Sequence, residues 1–181
     1  YLTFKRKKGV EQLYLRKANL DDASRIWEIL QQAIEKRSEE GSEQWQDGYP
    51  NYEVVQHDIN KEYGYLIITS DNNIIGYVAI INEIEPAYEE INGNWLNNEP
   101  YLVIHRLAVA RDITIKGLGT WAMQEIEKVA VNKNIFTIKV DTNFDNASML
   151  RVFEKLGYSY CGKVYFRGAE RLAYQKVFRT D

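Results

Sequence analysis

The stretch from Leu107 to Ala130 reads LAVARDITIKGLGTWAMQEIEKVA, and the fold turns on how it is parsed. An apolar strand ends at Val109, a short polar loop follows, and Gly117 and Gly119 stand where an amphipathic helix begins. From Leu118 the apolar residues Ala122, Ile126, Val129 and Ala130 keep helical spacing, while Gln124, Glu125 and Lys128 fall on other faces. The segment is therefore a strand, loop, helix unit with one stripe facing a core. Glycines at a helix start let backbone approach a ligand, and the first free amides together with the positive dipole end favour an anion. A phosphate group is the expected guest; a helix start that holds no ligand is the plainer alternative.

What the loop lacks narrows the choice. No Lys-Ser or Lys-Thr pair follows the glycines, so it is not a Walker loop. GLGTWA approaches a dinucleotide fingerprint with its third glycine relaxed to Ala122, and Asp141 lies about 20 residues on, as such a site requires. That fingerprint belongs near the start of a βαβ series, whereas here a long, differently patterned stretch comes first. A nicotinamide-dependent oxidoreductase stays open on the loop alone.

Working outward, Tyr101 to Ala110 is the central strand, apolar on both sides except for His105 and Arg106, and so expected to be covered on both faces. Glu83 to Pro100 before it reads as an irregular insert holding Pro86, Gly93, Pro100, Tyr88, Trp95 and four carboxylates before Ile91. Long loops in compact domains are commonly functional or mobile. Tyr65 to Thr69 and Ile74 to Ile81 form a hairpin through Ser70 to Asn73. A short helix is expected over Tyr52 to Tyr63, stopped by Gly64 and carrying His57 on its surface or in packing. Arg37 to Pro50 is broken by Gly41, Gly48 and Pro50, and its Trp45 and Tyr49 either line a pocket or lid the core. Gln12 to Ala18 is a strand, and Asn19 to Asp22 cap a first helix through Ala23, Ile26, Trp27, Leu30 and Ile34. Downstream, Ile135 to Val140 is a strand, and Asp141 to Asn146 is a capping turn. Met149, Val152, Phe153 and Leu156 stripe a helix stopped by Gly157, and Tyr158 to Phe166 with Arg171 to Phe178 close the sheet.

At 181 residues the chain is expected to be one domain, residues 1–181, with residues 1–11 as an N-terminal arm. A hydrophobic fraction of 45% supports a globular fold, and a net charge of -3 gives no overall pull toward nucleic acid. The short basic run Lys5 to Lys8 reads as a solvated arm. One cysteine, Cys161, excludes an internal disulfide framework, reads as a buried strand residue, and with two distant histidines argues against a metal site. No secretory leader and no long apolar run is present, so a soluble, cytoplasmic protein is expected. Tyr1 is not an initiating Met, so trimming or replacement of the start is also expected.

The element order β α α β β β α β α β β, with HRLAV before the glycine loop and DTNFDNASMLRVFEKLGY after it, resembles the GNAT superfamily of N-acetyltransferases over nearly the whole chain. The resemblance implies a single-domain α/β (α+β) fold: a mixed, mostly antiparallel sheet, helices on both faces, and a central strand that splays at its end. It implies acetyl-CoA as co-substrate, with Leu107, Ala108 and Val109 beside the pantetheine arm. The loop Thr114, Ile115, Lys116, Gly117, Leu118, Gly119 and Thr120 would then wrap the pyrophosphate. Thr114 stands where the family usually has Arg or Gln, leaving main-chain amides and Lys116 to hold the phosphates. Asn146 matches a family contact to the cofactor arm, and Leu156 to Tyr158 match the family's LGF. Phe153 occupies the position of a Tyr often proposed as general acid, so the leaving thiolate would take its proton from water or another Tyr, or depart unprotonated.

The implied reaction moves an acetyl group directly from the thioester to a neutral primary amine of a small molecule or protein, and a base must take the amine's proton. His105 shares a strand face with Val103, where the family can carry a base, and histidine titrates near neutrality. The alternative is a core histidine bonded to backbone or to a carboxylate. Glu83 and Glu85 are further candidates, either as bases or as attractors of a cationic amine, against the plainer reading of solvated loop carboxylates. Trp45, Tyr49 and Trp95 are the expected acceptor-side residues. A non-catalytic acyl-CoA-binding module is the competing function. No nucleic acid and no membrane is expected as a partner, and a homodimer is left open.

Overall fold

The computed structural model describes residues 3–6 and 9–178, and its backbone contacts gather them into two compact units. One unit comprises residues 1–79 and 106–122, the other 80–105 and 123–181.

In the first unit the strand order is β1 (Thr3–Arg6), β2 (Gly9–Lys17), β3 (Gly64–Thr69), β4 (Ile74–Ile81), each pair antiparallel. Within the expected N-terminal arm, Thr3 to Arg6 pair with Gln12 to Gly9 as a hairpin. Of the basic run, Lys7 and Lys8 lie outside the described residues. Alternation along the strands gives two apolar faces. Tyr14, Leu66, Ile68 and Tyr77 pack with Ile26 and Leu30 of α1 (Ala23–Glu39) and with Val55 and Ile59 of α2 (Tyr52–Asn60). Leu13, Leu15, Ile67 and Ile75 pack instead with Leu118, Trp121 and Ala122 at the start of α4 (Leu118–Asn132).

The helix starts follow their capping residues. Asn19 accepts from the Asp21 amide, and the Asp22 carboxylate accepts from the Asn19 amide at 2.8 Å, a capping box around the 3-10 turn Leu20–Asp22 that leads into α1. Asn51 caps α2 by accepting from the Val54 amide. α2 stops at Asn60, earlier than its periodicity suggests, because Glu62 takes a left-handed φ of 59° and the Tyr63 amide bonds back to the Asp58 carbonyl. Gly64 therefore opens β3 and does not end the helix.

The second unit orders its strands as β6 (Leu102–Val109, of which residues 102–105 belong to this unit), β7 (Thr137–Thr142), β9 (Ala169–Val177), β8 (Ser159–Phe166), β5 (Asn92–Gly93). β6 and β7 are parallel, and their ladder runs only from Leu102↔Ile138 to Ile104↔Val140, although both strands continue. β7 with β9, β9 with β8 and β8 with β5 are antiparallel. β7 begins two residues later than expected, since Asn134 at φ 56° and the bond from the Ile135 amide to the Ala130 carbonyl still belong to the turn after α4. Asp141 is thus a strand residue and not part of the capping turn. α5 (Ala147–Leu156) is capped by Asn146 and closed by Gly157 at φ 81°. Its Phe153 packs on Tyr158 and Tyr174. The segment expected to be irregular contains α3 (Pro86–Glu89) and β5.

The densest polar knot of the first unit centres on Asp58, which has no solvent exposure. Its carboxylate accepts from the Tyr77 hydroxyl at 2.5 Å and from Arg106 Nε and Nη2 at 2.8 and 2.6 Å. Arg106 Nη1 also donates to the Tyr49 hydroxyl. Burial works against the Arg106 charge, but the pull of Tyr49, Asp58 and Tyr77 holds its pKa above the ordinary arginine value. Asp58→Ala would leave a buried guanidinium uncompensated. We expect it to lower stability by about 3–5 kcal/mol, read from the urea midpoint.

Candidate active site

Strand parity in the second unit puts Val103 and His105 of β6 on one side of the sheet with Tyr101 just ahead of the strand; Val103 pairs with Lys139 of β7, and Asp141 follows on the same face of β7. Val103, Val164 and Ala173 floor this face, and Tyr88, Ile91 and Trp95 from the segment before β6 cover it.

His105 is held on several sides. Its Nε2 lies 3.2 Å from Glu85 Oε2, and its Nδ1 lies 3.9 Å from Asp141 Oδ2. The ring packs against Tyr88 and, edge-on, against Phe166. The Tyr88 hydroxyl donates to Asp141 Oδ2 at 2.6 Å, and the Glu85 amide donates to the Tyr101 hydroxyl at 3.2 Å. Burial pushes the Asp141 carboxyl above its usual range, although His105 and the Tyr88 hydroxyl pull the other way. Burial also raises the Tyr88 phenol, reinforced by the Asp141 carboxylate. The result is a chain Tyr88, Asp141, His105, Glu85 in which one imidazole stands between two carboxyl groups. Of the two glutamates weighed from sequence, Glu85 makes this contact; Glu83 is exposed.

The phosphate-type loop lies in the first unit. Gly117 is exposed with φ 80°, and the Trp121 amide donates to its carbonyl at 3.0 Å. The amides of Leu118, Gly119 and Thr120 precede that first intrahelical bond. Thr114 and Lys116 are exposed, while Ile113 and Ile115 pack under the loop with Leu107 and Val109. Ala108 is buried on the other apolar face. The loop's entry is tied to α1: the Arg111 amide donates to Gln32 Oε1 at 2.8 Å, Arg111 pairs with Glu39 at 2.7 Å, and Arg25 with Asp112 at 3.3 Å. A rigid base, an exposed left-handed glycine and three leading amides fit a pyrophosphate.

The remaining sequence candidates fall in different surroundings. Asn146 spends its Oδ1 on the Met149 amide as the cap of α5. Tyr49 is half-buried with its hydroxyl on Arg106, and Trp45 is half-buried with a left-handed φ of 63°. Trp95 packs at a tilt against Tyr88, 5.2 Å between ring centroids, and donates to the Tyr88 carbonyl at 2.8 Å. Phe153 is buried, its ring locked between Tyr158 and Tyr174. Sequence reasoning named Tyr88 only as an aromatic of the insert, weighed Asp141 only for a dinucleotide fingerprint and passed over Lys139. A usable signal existed for the last two, since Lys139 and Asp141 alternate with Ile138 and Val140 in an otherwise apolar strand. Among the described residues no cluster of His, Cys, Asp and Glu suits a metal, and no helix is long and apolar enough to cross a membrane.

Comparison with known proteins falls on the same framework. The profile of the Acetyltransferase (GNAT) family matches residues 26–158. A crystal structure of a GNAT-family acetyltransferase from Streptococcus agalactiae 2603 is similar with a TM-score of 0.84 and 32% identity, covering 93% of this chain and 96% of that one. A second, from Listeria monocytogenes 4b F2365, shares the fold at a TM-score of 0.76 and 18% identity, covering 98% and 100% of the two chains. The uncharacterized N-acetyltransferase YesJ of Bacillus subtilis (strain 168) is 23% identical over 144 residues, 78% of this chain and 79% of that protein. A family profile running from α1 to the end of α5, joined to a relative matched along nearly the full length of both chains, decides between the readings the glycine loop left open: this chain belongs to the GNAT family of acetyltransferases.

Proposed function

We propose that the chain transfers an acetyl group from acetyl-CoA to a primary amine, with the loop Thr114 to Thr120 binding the cofactor's pyrophosphate and His105, backed by Glu85, acting as general base. Acetyl-CoA supplies the acetyl thioester. Leading amides at Leu118, Gly119 and Thr120 offer donors to phosphate oxygens, Lys116 adds a positive charge, and Leu107, Ala108 and Val109 run beside the loop's apolar base. An amine is protonated at neutral pH and attacks only after losing that proton. Glu85 Oε2 facing Nε2 favours the tautomer with a proton on Nε2, which leaves Nδ1 to accept from the amine. The imidazolium then lies between Glu85 Oε2 at 3.2 Å and Asp141 Oδ2 at 3.9 Å.

The observation that carries the base assignment is the His105 to Glu85 contact on a partly buried strand face, because a carboxylate behind an imidazole fixes its tautomer and orientation. With Phe153 lacking a hydroxyl and sealed in the core, the thiolate's proton comes from elsewhere or is not needed.

Two outcomes test this reading. His105→Gln keeps a polar group of similar size and removes the base; the rate near neutral pH should fall roughly 10²- to 10⁴-fold, and the deficit should narrow above the acceptor amine's own pKa. A folded variant with full activity, or one equally impaired at every pH, would remove His105 from the mechanism. Gly117→Val places a β-branched residue at φ 80°, where such residues are strained, and fills the approach to the leading amides. Calorimetric affinity for acetyl-CoA should drop by roughly tenfold or more, and unchanged affinity in a folded variant would move the cofactor off this loop.

A further inference from the structure

Beside the His105 cluster, within the second unit, lies a cavity of about 510 Å³ whose walls include Tyr88, Trp95 and Tyr101 and whose charged lining is Lys139, Glu89 and Glu99. Lys139 is only 4% exposed. Its Nζ sits 3.9 Å from the centroid of the Tyr101 ring and 4.4 Å from that of Trp95, so two aromatic faces grip the ammonium. Ring faces accept no strong hydrogen bond, and the ammonium on the wall of this cavity carries three N–H donors. The ammonium is near Glu89 electrostatically but forms no ion pair with it among the described residues. Burying a lysine without an acceptor is costly, and burial accordingly depresses the Lys139 pKa.

The other two charges differ in kind. Glu89 and Glu99 are exposed, hence well solvated and weak at a distance. They disfavour a simple anion and suit a ligand that brings a positive group as well as a negative one. Tyr88 and Tyr101 tie the cavity to the candidate base, since the first holds Asp141 and the second accepts from the Glu85 amide.

We propose that this cavity binds the carboxylate of a small amino-acid-like acceptor on Lys139, with its apolar side chain against Trp95 and Tyr88 and its amino group drawn by the rim glutamates. Naming this ligand the acetyl acceptor rests on the acetyl-transfer reading above. Its binding does not, and it can be measured without acetyl-CoA.

The test uses four probes built on one ring: phenylalanine, phenylacetate, phenylacetamide and phenethylamine, titrated calorimetrically into the whole protein. We expect phenylalanine to bind most tightly and phenylacetate next, with the neutral amide and the bare cation weaker than both. Lys139→Met, of similar length and apolar, should weaken phenylalanine by roughly tenfold or more and leave phenethylamine unchanged. The order among probes on the unaltered protein stands even if the variant fails to fold. Phenethylamine or phenylacetamide binding as tightly as phenylalanine, equal affinity in Lys139→Met, or no binding by any probe would overturn the site. Failure of the acetyl-transfer reading shows separately, as no amine-dependent release of thiol from acetyl-CoA.

Discussion

Strand alternation is the constraint on which the chemistry of the second unit depends. With β6 and β7 paired in register from Leu102↔Ile138 to Ile104↔Val140, odd-numbered residues of both strands share a face. Val103 and His105 are therefore set on one face with Lys139 and Asp141 by backbone geometry, before any side chain contact is made, and Tyr101 just ahead of β6 joins them through its ring on Lys139. A one-residue slip of β7 against β6 would put Ile138 and Val140 in place of Lys139 and Asp141 on the face of His105, and that face would lose two of its charged groups.

Gathering ionisable groups on a covered face has an energetic consequence. Each is removed from water and must be compensated locally. In the first unit the compensation is complete: Asp58 satisfies Arg106 with two hydrogen bonds and takes a third from Tyr77. In the second unit it is partial. Asp141 has its Tyr88 hydroxyl bond but a carboxyl pushed upward by burial, and Lys139 has aromatic faces in place of oxygen acceptors. The contrast separates a structural charge knot, closed on itself, from groups that keep unused hydrogen-bonding capacity where a substrate could meet it.

Much of the fold was legible because periodicity and punctuation agreed. The α4 stripe, the Asn19 cap, the Gly157 stop and the hairpin at Ser70 to Asn73 are local rules acting locally. Where the reading missed, longer-range or conformational effects intervened: Glu62 and Asn134 adopt left-handed φ without being glycine, shifting the end of α2 and the start of β7. The segment before β6 looked irregular because α3 is one turn long and β5 only two residues, too short for any pattern to register. His105 stood out as one of two histidines, yet its carboxylate could not be chosen from sequence. Glu83 and Glu85 are equivalent until the chain turns, and only Glu85 folds back as the cap of α3 with one oxygen on the Ala87 amide and the other at His105.

The clasp that holds this segment onto the sheet has its own implication. β5 and β8 meet through Gly93 and Gly162, at φ 146° and 141°, so closely that a Cβ on Gly93 would sit 2.1 Å from the Cys161 carbonyl oxygen and one on Gly162 would sit 2.3 Å from that of Asn92. Both obstacles are backbone, so neither position accepts even a methyl group without prising the strands apart. Gln175 adds a second fastening, accepting from the Leu96 amide at 2.7 Å and donating to Asn97 at 3.0 Å. Sequence drift in the wall of the cavity is thereby channelled into the residues between the fastenings and just beyond them, Trp95, Asn98 and Glu99, which line the space without carrying the backbone contact that Asn94 still makes to the Cys161 carbonyl. A lineage, or a designer, could recut the pocket there in single steps while the frame holds the wall in place.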